Sequence, residues 1–204
     1  MPTGVHIRDV RERLFAAAER VLVRDGPQAL TSRVVTDEAG CAKGVLHRHF
    51  TDFDGFLAEL VQERAARIEA RAPALLGAAG TGTVAGNLAE ELADLFGSVA
   101  AAVVPLVTFR DGLRARLRAL RGPQGAGIPV LAEATEAIAA YLAAEQELGR
   151  VPPGADPGML APALVGAAHL RFADREGAAP EPDEVRGIVA AVLGQADQPG
   201  SRPL

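Results

Sequence analysis

The chain has 204 residues, 49% of them apolar and 23% charged, with a net charge of −5. That is the balance of an ordinary globular protein of one or two domains. No apolar run reaches the roughly 18 to 20 residues that span a bilayer. The start, MPTGVHIRDVRERLF, meets charge before any apolar stretch forms, so it does not read as a secretory signal. One cysteine, Cys41, makes no internal disulfide, and a cytoplasmic location is expected.

Alanine supplies 41 residues, aromatics only 4%, and tryptophan none, which points to an all-α protein. Residues 1–71 carry 11 basic and 11 acidic side chains, and residues 72–204 carry 10 and 15. The negative balance therefore lies in the second part. Arginine outnumbers lysine 20 to 1.

In chain order, Ile7, Val10, Leu14, Ala17, Ala18 and Val21 recur at helical spacing, predicting a helix over 7–24. Asp25-Gly26-Pro27 stops it. Thr31 or Ser32 is placed to cap a second helix over 32–39, which Gly40 ends. A third, short helix is predicted over 43–49. Thr51-Asp52 reads as the cap of a fourth over 53–71, with Phe53, Phe56, Leu57, Leu60, Val61 and Ile68 on one face. Pro73 and the glycines of 77–82 mark a break. One long helix is predicted over 84–104, then a segment from Pro105 to about 120 with Arg114, Arg116, Arg118 and Arg121. After the loop 122–127, helices are predicted over 129–148, 157–174 and 181–195, followed by a disordered tail. The expected domains are 1–52, a connecting helix 53–71, a second domain 73–196, and the tail 197–204.

Two short helices joined by a glycine turn, over residues 31–50, form a helix-turn-helix signature. The second helix of such a pair fits the major groove of DNA, where each base pair shows a distinct pattern. From Gly40 to Phe50 there is no acidic residue, while Lys43, His47, Arg48 and His49 are present. A helix without carboxylates approaches phosphates unopposed.

Residues 10–61 resemble the DNA-binding domain of the TetR family of transcriptional regulators. The matching residues are Ala17-Ala18, Gly26, Thr31, Val35, Ala39-Gly40, Lys43-Gly44, Leu46, His49-Phe50 and Leu57. Residues 137–166 resemble that family's C-terminal region. The resemblance implies a cytoplasmic homodimer with an N-terminal three-helix domain that reads a palindromic operator. It also implies a C-terminal helical bundle that dimerises and binds a small molecule. Ligand binding would move the fourth helix and release the DNA. No cofactor, metal or membrane is implied, and no enzymatic activity.

The resemblance places DNA contacts at Thr31, Ser32, Arg33, Lys43, Gly44, Val45, His47, Arg48 and His49. The chain departs from the family pattern at four positions. Ala42 and Val45 stand where serine and threonine are common, His47 where tyrosine is usual, and Phe53 where lysine is usual. In the family the serine caps the third helix and the other three bind phosphate. These departures support a second reading: a TetR-type ligand-binding or protein-interaction module with weak DNA affinity.

Helix position makes Phe96, Phe109, Arg110, Tyr141, His169 and Phe172 the candidate lining of a largely apolar effector pocket. Leu160, Leu164, Ala168, Val185, Ile188, Val189 and Val192, with Ala167, are the candidate dimer interface, as more apolar surface than one chain would leave exposed. Cys41, His47 and His49 match no zinc spacing, and no phosphate loop or nucleophile triad is present.

Overall fold

The computed structural model describes residues 4–97, 99–122, 127–172 and 180–194. The predicted tail 197–204, most of the loop 122–127 and the last residues of the two C-terminal helix predictions lie outside them. The described residues are helical and hold no strand. The helices are α1 (Gly4–Asp25), α2 (Ser32–Glu38), α3 (Val45–His49), α4 (Phe53–Gly77) and α5 (Val84–Phe96). They continue with α6 (Val99–Thr108), α7 (Asp111–Arg121), α8 (Pro129–Glu147), α9 (Pro157–Phe172) and α10 (Pro182–Leu193).

The helices gather into two compact units. One takes residues 1–65 together with 99–130, the other 66–98 together with 131–204. The first therefore holds α1–α3, the start of α4, α6 and α7. Its core is Leu14, Ala17, Ala18 and Val21 of α1, Leu30, Val35, Leu46, and Phe56, Leu57, Leu60 and Val61 of α4. Of the helical stripe read from the sequence, Leu14, Ala17, Ala18 and Val21 are buried and Val10 is half-buried, while the Ile7 side chain lies outside the described residues. Phe15, Phe50 and Phe56 pack ring against ring, with centroids 4.9 to 5.7 Å apart. Rings at this spacing and tilt attract beyond their buried area.

The second unit holds the rest of α4 with α5, α8, α9 and α10. Here α10 packs on α5 and α9. A fully buried carboxylate, Glu145 of α8, organises a polar network in the same unit. It accepts from the Tyr141 hydroxyl at 2.6 Å and the Gly80 amide at 3.3 Å, and pairs with Arg150 at 3.2 Å. Tyr141 Oη also accepts from Asn87 at 2.9 Å, and Arg150 donates to the Gly82 carbonyl at 2.8 Å. A buried charge persists only when paired and hydrogen-bonded, and this network ties the 78–83 loop to α8.

Three predicted boundaries are corrected. The single helix expected over 84–104 is two, because α5 ends on Gly97, whose amide caps back to the Ala93 carbonyl. Glycine lowers helix stability by about 1 kcal/mol relative to alanine. The apolar period runs on through the break, so periodicity does not reveal it. Pro105 does not open a segment but lies inside α6, and the following helix starts at Asp111 with Arg110 as its N-cap. Pro73 does not end α4, which continues to Gly77. Pro73 and Glu69 are both exposed, so the carbonyl that the proline leaves unbonded meets water.

Tyr141 is the chain's one tyrosine, and there is no tryptophan. Burial, then its bond to Glu145, pushes the phenol up to about 12. Its folded value lies above the unfolded value of 10.0. The stability it contributes is therefore intact below pH 10 and lost as pH rises from about 10 to about 12. Absorbance at 295 nm reads this group alone. Native protein is expected to ionise near pH 12 and urea-unfolded protein near pH 10, and a native transition at pH 10 would contradict the buried network.

Candidate nucleic-acid interface

The reading head is built from two helices too short to be stable alone. The Thr31 hydroxyl caps α2, accepting from the Val34 amide at 3.3 Å. At the other end Gly40 adopts φ +62°, a left-handed conformation that suits glycine. Its amide bonds the Asp37 carbonyl at 3.1 Å, and the Cys41 amide bonds Thr36 at 2.9 Å. This pair of bonds is a Schellman stop. It turns the chain into α3, whose Gly44 N-cap supplies no side-chain bond. Ala42 stands in the family's serine position and does not replace that bond.

Leu46 is fully buried and Phe50 nearly so, and together they seat α3. Lys43, Gly44, His47 and Arg48 are exposed, with Val45 and His49 half-buried. Lys43 and Arg48 make no ion pair among the described residues. The exposed face of α3 is therefore cationic and free of carboxylates. On α2, Thr31 is exposed and Ser32 half-buried. Arg33 is exposed but lies 3.6 Å from Asp37, so its charge is partly met.

Phe53 packs within its own unit. It is half-buried, stacks on Phe56 at 5.8 Å, and lies under the Arg110 guanidinium at 5.3 Å. Arg110 also donates to the Leu30 carbonyl at 2.9 Å and faces Asp54 at 3.6 Å. Next to it, Asp52 caps α4 by accepting from the Gly55 amide at 2.6 Å. Arg116 of α7 grips the same carboxylate with both terminal nitrogens, at 2.6 and 3.0 Å. Arg114, in the same basic run, pairs with Asp111.

Residue choice alone did not reveal the arginines of α1. Arg11 donates to the His49 carbonyl and Arg13 to the Ala39 carbonyl, each at 3.0 Å. Arg20 bonds Glu38 at 2.7 Å. Their signal in the sequence was only their place beside the apolar stripe.

The effector candidates divide. Phe96, His169 and Phe172 come together in the second unit, with ring centroids 6.1 and 6.3 Å from Phe96. His169 Nδ1 is buried and finds no hydrogen-bond partner among the described residues, and burial pushes its imidazole down. Tyr141 is buried in the Glu145 network. Two placements are corrected. Phe109 is 71% exposed, and Arg110 is held at the start of α4 in the first unit. The dimer candidates divide too. Leu164, Ala168, Val185 and Val189 are fully buried within the single chain, and Leu160, Ile188 and Val192 are half-buried. The first four serve the chain's own core, because α10 packs on α5 and α9. What α9 leaves open is Met159, Pro162, Ala163, Gly166 and Leu170.

Residues 14–60 match the family described as bacterial regulatory proteins, tetR family. The match covers 47 of the 204 residues, so the family likeness in sequence is that of the N-terminal domain. Solved structures extend the likeness of fold to most of the chain's length. A putative TetR-family transcriptional regulator from Mesorhizobium loti is 16% identical, with a TM-score of 0.62 over 93% of this chain and 95% of that one. FadR from Bacillus subtilis, solved with stearoyl-CoA, is 14% identical, with a TM-score of 0.62 over 91% and 99%. Salmonella enterica GusR is 15% identical, with a TM-score of 0.64 over 95% and 98%. No curated protein matches the chain in sequence.

The Asp52 clamp makes this TetR-type domain acid-sensitive in a defined direction. The Arg116 bond, then the Gly55 amide, hold the Asp52 carboxyl below its ordinary 3.8. The stability it contributes is present above 3.8 and lost as pH falls from there through the lowered folded value. Asp52→Asn is expected to lower the urea midpoint at pH 6, with the gap to wild type closing below pH 4. A constant gap across that range would show that Asp52 acts by shape alone.

Proposed function

We propose that the protein is a homodimeric repressor that binds a palindromic operator through α3 and leaves it when a small, largely apolar ligand binds the C-terminal unit. The observation that carries this is the exposed cationic face of α3. Lys43, His47 and Arg48 stand there without a carboxylate, on a helix seated by Leu46 and Phe50. Phosphate contacts from such a face position the domain, and side chains on α3 reach base edges.

For the effector, Phe96, His169 and Phe172 supply an aromatic wall and one unmet imidazole nitrogen. The stearoyl-CoA bound to the Bacillus subtilis FadR is a ligand of that mixed kind. Coupling of about 1–3 kcal/mol between effector and DNA changes operator affinity 5- to 150-fold. Helix α4 runs unbroken from residue 53 to 77, and Asp52, at its start, is gripped by Arg116. Movement of α4 is the proposed link.

The second reading is a TetR-type module with weak DNA affinity. It is favoured by Phe53, which offers a ring where lysine is usual, and by Arg33, whose charge faces Asp37. Fluorescence anisotropy with the DNA flanking its own gene, at two salt concentrations, separates the two. Binding that survives competitor DNA is expected, with Lys43→Ala and Arg48→Ala each lowering the salt slope by about one unit. Binding that vanishes with competitor would establish the second reading.

The open face of α9 is the proposed subunit contact, joined by Gly187 and Ala191 of α10. Met159 is 69% and Leu170 86% exposed, an apolar display that a partner copy would cover. Leu170→Asp is expected to sediment as a monomer at micromolar concentration, where wild type sediments as a dimer. A monomeric wild type would remove this contact.

A further inference from the structure

We infer that Arg11 of α1 is a positioning residue for DNA reading, which aims α3 without touching the DNA. Arg13 is its counterpart for α2.

Helix α3 has five residues and no side-chain N-cap. A helix that short keeps its place only through tertiary anchors. Leu46 and Phe50 anchor it by burial. Arg11 adds a directional hold. One terminal nitrogen donates to the His49 carbonyl at 3.0 Å, in the last residue of α3. The carbonyls at a helix C-terminus lack intrahelical partners and carry the negative end of the helix dipole, so a guanidinium bonds them well. The other terminal nitrogen pairs with Glu59 of α4. The group lies over the Phe50 ring, 4.4 Å from its centroid. One planar fork thus fixes the end of α3 against α4.

Arg13 lies two residues further on, on another side of α1. It donates to the carbonyl of Ala39, the C-cap of α2. Each helix of the pair is therefore bonded at its C-terminal end by its own arginine from α1. The angle between α2 and α3 follows from that spacing. Lysine does not replace Arg11, because its single ammonium has no planar fork.

This inference rests on the DNA-binding reading, so its test has an arm without DNA. Hydrogen exchange of the free protein is compared for wild type, Arg11→Met, Arg11→Lys and Arg13→Met. Arg11→Met is expected to speed exchange over residues 45–50 and leave α1 and α4 unchanged. Arg13→Met is expected to act over 36–41 instead. The second arm uses a duplex selected by wild type from a random-sequence pool, with an unselected duplex as reference. Arg11→Met is expected to reduce the ratio of selected to unselected affinity about tenfold, the worth of one base contact, at an unchanged salt slope.

A slope reduced by about one unit, with both affinities falling together, would make Arg11 a phosphate contact and overturn the inference. Unchanged exchange over 45–50 would overturn it too, as would full selectivity in Arg11→Lys. If Arg11→Met does not fold, Arg11→Lys carries both arms, with partial losses expected. If wild type selects no duplex, the DNA-binding reading fails, and the exchange arm still decides whether Arg11 holds α3.

Discussion

The packing of Phe15, Phe50 and Phe56 is the constraint on which the reading head depends. Phe15 comes from α1, Phe50 is the C-cap of α3, and Phe56 lies in the first turn of α4. The three rings make the end of a five-residue helix part of a core it could not form by itself. Every polar feature nearby builds on that contact. Arg11 covers the Phe50 ring, Phe53 extends the cluster outward, and Arg110 covers Phe53. Directional bonds then set angles that the apolar contact alone leaves free.

Arginine does this work throughout the first unit. Arg11, Arg13, Arg20, Arg110 and Arg116 each bond an element distant in sequence. A guanidinium presents several donors in a plane and so serves a carbonyl and a carboxylate together. The strong bias for arginine over lysine, whatever its origin, gives the fold these forks.

The elements that a period or a cap specifies were legible in the sequence. The α1 stripe is buried from Leu14 to Val21, Thr31 caps α2, Asp52 caps α4, and Gly40 takes the left-handed turn. The elements that depend on solvent or on distant partners were not. Pro73 and Pro105 both sit inside helices, Pro73 on an exposed side that tolerates a missing bond. Gly97 ends α5 in the middle of an unbroken apolar period. Phe53 could be read as exposed or packed, and only the Phe56 ring and the Arg110 guanidinium decide it. The apolar positions of α9 and α10 were assigned to a partner chain, yet half of them fill their own core. Periodicity marks an apolar face without saying which neighbour covers it.

Lys43 is the only lysine of the 204 residues, and it stands exposed in the turn just before the reading helix. Apart from the α-amino group, the chain offers an amine-directed reagent one place to react, and that place lies on the face proposed to meet DNA. A mass shift from mild acylation therefore becomes a footprint with a single pixel: present on the free protein, absent wherever that face is covered.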